Sequence, residues 1–480
     1  MSYPGQHFDE IARQLVFPSD YENPSPKSRY HLTVIGAGPA GLVAAISAAG
    51  LGARVALVEA QAMGGDCLNV GCVPSKALLE STKNQSITFD DAFSWLRQVR
   101  AGISQHDSVE RYSQSGVDVF LGRAVFDGLG NVSVAGQPIR SRRVAICVGS
   151  RTTLPPIPGL AESGPLTNET IFDLTVQPTS MAILGAGPIG CELATVLSRL
   201  GTRVHLFDLA DRVLPSEVES ASLEVQEALS QLGVELHLGC EIEEVSVSSK
   251  GKRVKTGEGE YETEEVLVAL GRTPNTDLLN LESVGVQTDE LGSIIVDKKL
   301  RTTNRRFYAA GDCTQEGNYT HQADLHARVL VQNSLFIPSA SVKDSIIPHC
   351  TYTSPEVASI GTSPERLRAA GVEHDLYRVE FSDLDRARVR NDSTGFALIA
   401  TPKGKDKILF ATVVGEGAGE QISLISLLMN NGLGLSQAGK AVFSYPTYSE
   451  YLKKLSDSYN RTRLTPRAQS LLKRWLRWCE

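Results

Sequence analysis

Short apolar runs and glycine turns set the rhythm of the chain. Tyr30 to Ile35 reads as a strand, and the small, helix-forming Leu42 to Ala49 as the helix that follows it. Arg54 to Val58 is the next strand. The same order returns at Ala182 to Leu184, with a second strand at Arg203 to Phe207. Strands that alternate with helices in this way predict an α/β fold. Further on, Val357 to Ile360, Phe396 to Ala400 and Ile408 to Val414 read as strands, and Gly419 to Met429 and Ser436 to Ala441 as helices. Those segments predict an antiparallel sheet with helices. The tail behind Pro466 sets Leu471, Leu472, Trp475, Leu476 and Trp478 among Arg467, Lys473, Arg474 and Arg477. That spacing predicts a basic amphipathic helix, suited to an anionic membrane surface or to packing on the protein body.

The turns between strand and helix carry the first chemistry. Val34-Ile35-Gly36-Ala37-Gly38-Pro39-Ala40-Gly41 is a GxGxxG, in which Gly36 permits the tight turn, Gly38 lets backbone N–H groups reach a pyrophosphate, and Gly41 allows close helix packing. Glu59, eighteen residues after Gly41, ends the next strand where an acid meets a ribose diol. The motif recurs at Gly185-Ala186-Gly187-Pro188-Ile189-Gly190, and its second strand ends in Asp208. Two nucleotide motifs imply two cofactors: a tightly held flavin dinucleotide and a diffusible nicotinamide dinucleotide. A carboxylate at Asp208 accepts from a 2′-OH and repels a 2′-phosphate, which favours NADH over NADPH; the neighbouring Arg212 moderates that preference.

A dithiol lies close behind the first turn, in Gly64-Gly65-Asp66-Cys67-Leu68-Asn69-Val70-Gly71-Cys72-Val73-Pro74-Ser75-Lys76. Five residues of α-helix rise ~7.5 Å, whereas bridged cysteines need Cα atoms roughly 4.4 to 6.8 Å apart. Gly71 and Pro74 are therefore expected to flank a distorted first turn that brings the sulfurs together. A helix start also lowers a thiol pKa, and the thiolate is the reactive species in exchange. A zinc site would need two further ligands, and no second CxxC or His pair supplies them.

From about Tyr30 to about Pro466 these residues resemble the FAD-dependent pyridine nucleotide-disulfide oxidoreductases, which include dihydrolipoamide dehydrogenase, glutathione reductase and mercuric reductase. Val144 to Ser150, with Gly149, looks like the first crossing between nucleotide domains, and Val268 to Asn275, with Gly271, like the return. Phe307-Tyr308-Ala309-Ala310-Gly311-Asp312 resembles the second flavin motif, in which Gly311 and Asp312 bind FAD, and His349 to Glu356 resembles the opening of the dimerisation domain. The resemblance implies two Rossmann-like domains, for FAD and NAD(P), plus a C-terminal α+β dimerisation domain. It divides the chain into an extension 1–29, an FAD domain 30–158 resuming at 283–348, an NAD(P) domain 159–282, a dimerisation domain 349–465 and the helix 466–480.

The resemblance also implies roles. Lys76 and Glu192 fall where the family places an ion pair beneath the flavin. Cys72 would be the charge-transfer thiolate and Cys67 the exchange thiol. Family members that reduce disulfides carry His-Pro-Thr near the C-terminus with Glu three residues later, as a general acid/base pair. Here the segment is Tyr445-Pro446-Thr447-Tyr448-Ser449-Glu450. A phenol of pKa ~10 shuttles protons poorly where a histidine near ~6.5 does so well. Tyrosine at this position is similar to mercuric reductases. A soft metal ion held between the thiolates of Cys67 and Cys72 needs sulfur ligands and electrons, not a general acid. The expected activity is therefore electron transfer from NAD(P)H to such an ion, Hg(II) first. The alternatives are a disulfide, quinone or reactive oxidant as acceptor, or a non-catalytic NADH-linked redox sensor. Two features depart from mercuric reductases: the tail holds Cys479 alone instead of a vicinal pair, and Asp208 points away from NADPH.

Composition adds limits. The 480 residues, 41% of them hydrophobic, allow three or four domains. Net charge is −8 without a long basic run, which argues against nucleic acid as a partner. Eight cysteines without a signal peptide or spanning segment point to the reducing cytoplasm and a catalytic disulfide. Cys147, Cys191, Cys240, Cys313 and Cys350 fall in strand, helix or crossing contexts and are expected in the core. The resemblance implies a homodimer, with Tyr445 and Glu450 contributed by the partner subunit.

Overall fold

Tyr30–Ile35 forms the middle of a five-stranded parallel sheet, in the order Phe307–Ala309, Ser141–Ile146, Tyr30–Ile35, Val55–Glu59, Val117–Leu121. The computed structural model describes residues 7–127, 130–315, 319–342 and 345–479. The chain divides into two compact units: residues 1–186, 196–209 and 233–343, and residues 187–195, 210–232 and 344–480.

In the first unit both faces of the central sheet are covered, which is why its strands read as nearly continuous apolar runs. Leu32, Val34, Val55 and Leu57 pack against the helices Pro39–Gly50 and Thr320–Leu335 through Ala44, Ala45, Ala48, Ala327 and Leu330. Alternate residues Ile35, Ala56 and Val58 face a small antiparallel sheet carrying Phe126, Val132 and Val134. A second parallel sheet runs in the order Glu235–Leu238, Arg203–Asp208, Ser180–Leu184, Glu265–Val268. One of its faces meets the antiparallel strands Ile242–Ser248, Gly251–Thr256 and Gly259–Thr263 through Val245, Val254 and Tyr261. Two short segments, Ser150–Thr152 and Arg272–Pro274, pair antiparallel.

The lead before Tyr30 contains a helix. His7–Val16 is a helix that buries Asp9, Ala12 and Val16. Asp9 is fully buried and lies 3.2 Å from Arg97 Nε and 2.5 Å from Arg100 Nη2, both on the helix Phe89–Ser104. The Met63 N–H donates to the Val16 carbonyl at 3.1 Å. The i, i+3, i+4 spacing of Phe8, Ile11, Ala12, Leu15 and Val16 is the signal that marks this helix.

The second unit contains a five-stranded antiparallel sheet, in the order Pro348–Thr351, Glu356–Gly361, Phe410–Gly415, Phe396–Pro402, His374–Glu380. Its core joins Ile360, Ile399, Ala411 and Val413 to Ile422 and Ile425 of the helix Ala418–Asn430 and to Tyr451 and Leu455 of the helix Glu450–Thr462. The helix read from Ser436 to Ala441 is only the four-residue turn Leu435–Ala438. It stops at Gly439, where a Cβ would lie 2.1 Å from Ser456 Oγ, so the neighbouring helix leaves no room for a longer side-chain-bearing turn.

The tail is the helix Pro466–Trp478, started by Thr465, whose Oγ1 accepts the Ala468 N–H at 3.2 Å. It buries none of its residues; Trp475 and Trp478 are 60% and 77% exposed. Among the described residues no helix is long and apolar enough to cross a membrane.

Removing Asp9 leaves two buried guanidinium groups without their shared carboxylate. Asp9→Ala is expected to cost about 3–5 kcal/mol, read as a lower urea midpoint at unchanged slope. A change below ~0.5 kcal/mol, the range of an ordinary surface substitution, would show that this helix is not anchored by charge.

Candidate active site

The first glycine turn is shaped by contacts that no side chain could share. Gly36 has φ +97°, and a Cβ there would sit 2.2 Å from the Cys147 carbonyl oxygen; on Gly41 it would sit 1.7 Å from the Gly36 oxygen. The turn opens the helix Pro39–Gly50, whose start at Gly38 has no side-chain cap. Its first N–H groups therefore have no side-chain cap, which is the arrangement an anion-binding helix start has. Glu59 closes the loop: Oε2 accepts the Ala37 N–H at 2.6 Å, and Oε1 accepts the Gln61 N–H at 2.7 Å. Burial pushes the Glu59 carboxyl above its usual range, opposed by those backbone donors. An uncapped helix start, a cradle that a Cβ would fill and an acid at the strand end fit a dinucleotide such as FAD.

Behind the cradle lies the dithiol. Cys67 is on the short helix Gly65–Asn69, which starts from left-handed Gly64, and Cys72 opens the next helix, Cys72–Ser81. The chain breaks between them at Val70 and Gly71, so the cysteines straddle two helices instead of one distorted turn. A Cβ on Gly71 would be 2.8 Å from the Asp66 carbonyl oxygen, which is how the break closes tightly. Both cysteines are thiols in this structure, and their side chains are hydrogen-bonded to each other. Thr320 Oγ1 lies 3.5 Å from Cys72 Sγ. The lowering expected from a helix start does not describe Cys67: its hydrogen bond with Cys72, then burial, then the Cys72 charge hold it far above the usual thiol value. Two coupled thiols cannot both ionise cheaply, so Cys67 holds its proton to higher pH than an isolated thiol would.

Asp312 sits at the end of the second apolar motif, just past Gly311. It accepts from Ser150 Oγ at 3.1 Å and lies 4.0 Å from Arg272 Nε. Burial raises the Asp312 carboxyl above its ordinary value, with Arg272 and Ser150 opposing. Arg272 also donates to Ser150 Oγ and to the Ser150 carbonyl, each at 2.7 Å, and pairs with Asp66, the residue before Cys67. Gly149 and Gly271 cap the two crossing segments, the Asn275 N–H donating to the Gly149 carbonyl and the Thr153 N–H to the Gly271 carbonyl, each at 3.0 Å.

In the second glycine turn, Gly185 has φ +111°, and Asp208 Oδ2 accepts the Ala186 N–H at 2.6 Å, as Glu59 does in the first. Gly187 precedes, and Gly190 lies within, the helix Pro188–Arg199. Glu192, on the same helix, is buried, and its Oε1 accepts the Tyr352 N–H at 2.9 Å within the second unit. Lys76 is half-buried in the first unit, one helical turn after Cys72.

Tyr445 is 73% exposed, and its hydroxyl donates to Asp385 Oδ2 at 3.1 Å. That bond, with the charges of Asp385 and Glu450, raises the phenol above its ordinary value. Glu450 begins the helix Glu450–Thr462, and its Oε2 is buried without a hydrogen-bond partner among the described residues. Of the remaining cysteines, Cys147, Cys191, Cys240 and Cys313 are buried; Cys350 is only half-buried, on an edge strand, and Cys479 is exposed. Sequence reading missed Thr320, Asp66, Arg272 and Asp385. Arg272 stood inside the return-crossing motif, but nothing in that motif shows that it reaches back across 206 positions to Asp66.

Residues 30–327 match the family model described as pyridine nucleotide-disulphide oxidoreductase, and residues 347–456 match its dimerisation domain. The chain is 30% identical over 444 residues to a mercuric reductase of Staphylococcus aureus, covering 88% of this chain and 81% of that one. It is 31% identical over 453 residues to dihydrolipoyl dehydrogenase 3 of Haloarcula marismortui, covering 87% and 94%. Among solved structures it resembles the Cu(II) complex of the HOCl-induced flavoprotein disulfide reductase RclA from Escherichia coli, with TM-score 0.84, 26% identity and coverage of 90% and 99%.

If Cys72 is what suppresses ionisation of Cys67, Cys72→Ser moves the alkylation of Cys67 by iodoacetamide to lower pH. The pH profile of the remaining site, followed by peptide mass, checks this; an unmoved profile would assign the shift to burial alone.

Proposed function

Because the chain belongs to the pyridine nucleotide-disulphide oxidoreductase family, an FAD-dependent group of enzymes, we propose that it is a cytoplasmic, homodimeric reductase of a soft metal ion, with Hg(II) as its first substrate. NADH, in preference to NADPH, is the proposed electron source, because the Asp208 carboxylate at the strand end suits an unphosphorylated ribose. Bound FAD supplies the two-electron relay between a hydride donor and a thiol pair. Gly36, Gly38, Gly41, Glu59, Gly149, Gly311 and Asp312 would hold it, and Gly185, Gly187, Gly190, Asp208 and Gly271 would hold the nicotinamide dinucleotide. Lys76 and Glu192 take the roles of charge stabiliser and positioning residue.

The observation that carries this reading is the state of Tyr445. Its phenol is bound to Asp385 and raised above its ordinary value, so at neutral pH it keeps its proton and accepts none. A departing organic thiolate would find no proton donor of suitable pKa there. A metal ion has no such need. Cys67 and Cys72 bind it as thiolates, giving up their protons on ligation. The balance is one NADH and one Hg(II) converted to NAD+, one proton and Hg(0). A second reading is Cu(II), favoured by the likeness to RclA, which has been solved with that ion; one NADH would then reduce two Cu(II) to two Cu(I) and release one proton.

We also propose that the exposed helix Pro466–Trp478, basic and without an acidic residue, makes weak contact with an anionic membrane surface. Vesicles containing phosphatidylserine are expected to sediment the protein at low salt and release it at high salt; equal recovery with neutral vesicles would contradict this.

Purified FAD-loaded protein should oxidise NADH with Hg(II) in excess thiol, more efficiently than NADPH, and lose the activity in Cys67→Ala and Cys72→Ala. Tyr445→His should add lipoamide or glutathione turnover if the proton donor is all that is missing. Flavin reduction without sustained turnover on Hg(II) or Cu(II) would remove the metal reading.

A further inference from the structure

Away from the dithiol, two histidines and a glutamate meet on neighbouring strands. In the parallel pairing of Arg203–Asp208 with Glu235–Leu238, His205 stands opposite Glu235 and Phe207 opposite His237. Successive side chains of a strand alternate faces, so His205, Phe207, Glu235 and His237 share one face of the sheet. His205 Nδ1 is 3.2 Å from His237 Nε2 and 3.5 Å from Glu235 Oε2, and the three ligand atoms lie within 4.8 Å of one another.

We propose that His205, Glu235 and His237 form a binding site for a divalent transition-metal ion of the zinc class, with water in the fourth position. A tetrahedral ion bound at about 2.0–2.1 Å by nitrogen and oxygen places its donors roughly 3.3 Å apart. The two measured edges, 3.2 and 3.5 Å, bracket that value. Two imidazoles and one carboxylate are also a donor set that zinc takes with an open coordination position.

The rings are already oriented. His237 stacks on Phe207 with centroids 4.4 Å apart and lies 4.4 Å from the Tyr261 ring; His205 stacks on His237 at 5.4 Å. His205 is buried and His237 half-buried, whereas the Glu235 side chain is 52% exposed. The site is thus fixed on its apolar side and open to solvent on its carboxylate side. Burial holds both imidazoles below the usual histidine range, so each offers a lone pair at neutral pH. A bound ion would clip the edge strand Glu235–Leu238 to the strand that ends in Asp208.

A hydrogen bond between the two imidazoles, with Glu235 as a surface charge, is the competing explanation, and metal titration separates the two. FAD-loaded protein carrying Cys67→Ser and Cys72→Ser, so that the dithiol takes no metal, is titrated with Zn(II) by calorimetry and by thermal shift. One zinc per chain and a raised melting temperature are expected. Glu235→Gln and His237→Gln in that background should each weaken binding by at least the roughly 10–100-fold that loss of a metal site's supporting partners costs, and should abolish the thermal shift. Glu235 is exposed, so its variant decides between the two even if His237→Gln fails to fold. No zinc uptake, or uptake unchanged by Glu235→Gln, overturns the site.

Discussion

Everything at this centre depends on backbone meeting backbone where a side chain would stand between. A Cβ on Gly65 would lie 2.6 Å from Gly38 Cα, and the Gly64 N–H donates to the Ala37 carbonyl at 2.8 Å. The helix that carries Cys67 is therefore seated directly on the glycine turn that opens the dinucleotide cradle. Gly36 extends the contact to the Cys147 carbonyl on the crossing side. Proximity of this kind is a geometric contribution to catalysis: donor and acceptor groups are held together before any substrate arrives. It also explains the density of glycine near the first strand, since each contact replaces a side chain with a neighbouring main chain.

Charge is arranged around that seat with equal economy. Arg272 gathers Ser150, Asp312 and Asp66, and so joins the return crossing, the second flavin motif and the residue before Cys67. In the dithiol, the hydrogen bond with Cys72 and burial hold the Cys67 thiol above its ordinary value. In the other unit, the Tyr445 hydroxyl is tied to Asp385 at 3.1 Å.

The parts legible in the sequence are those set by local rules. The two glycine turns, the acids that close them at Glu59 and Asp208, and the strands from Tyr30 and Arg203 follow from period and turn chemistry, and the structure has them at those positions. The dithiol was legible as a pair, but not its seating across two helices, because that depends on Gly71 meeting the Asp66 carbonyl. Long-range polar contacts were hidden. Nothing local links Asp9 to Arg97 and Arg100, or Arg272 to Asp66. His205, His237 and Glu235 are brought together only by the register of two strands. Helix ends set by packing, such as Gly439 against Ser456, escape propensity for the same reason.

The proposed mechanism requires that Cys67 and Cys72 of the FAD-loaded protein accept electrons from the nicotinamide donor. Anaerobic titration of the oxidised holoprotein with NADH, with thiols counted at each step by a chromogenic disulfide reagent, is the direct test. Each subunit should take up a second electron pair beyond the one the flavin accepts, and two new thiols should appear with it, at Cys67 and Cys72. Flavin bleaching complete after a single pair, with the thiol count unchanged, would contradict that mechanism.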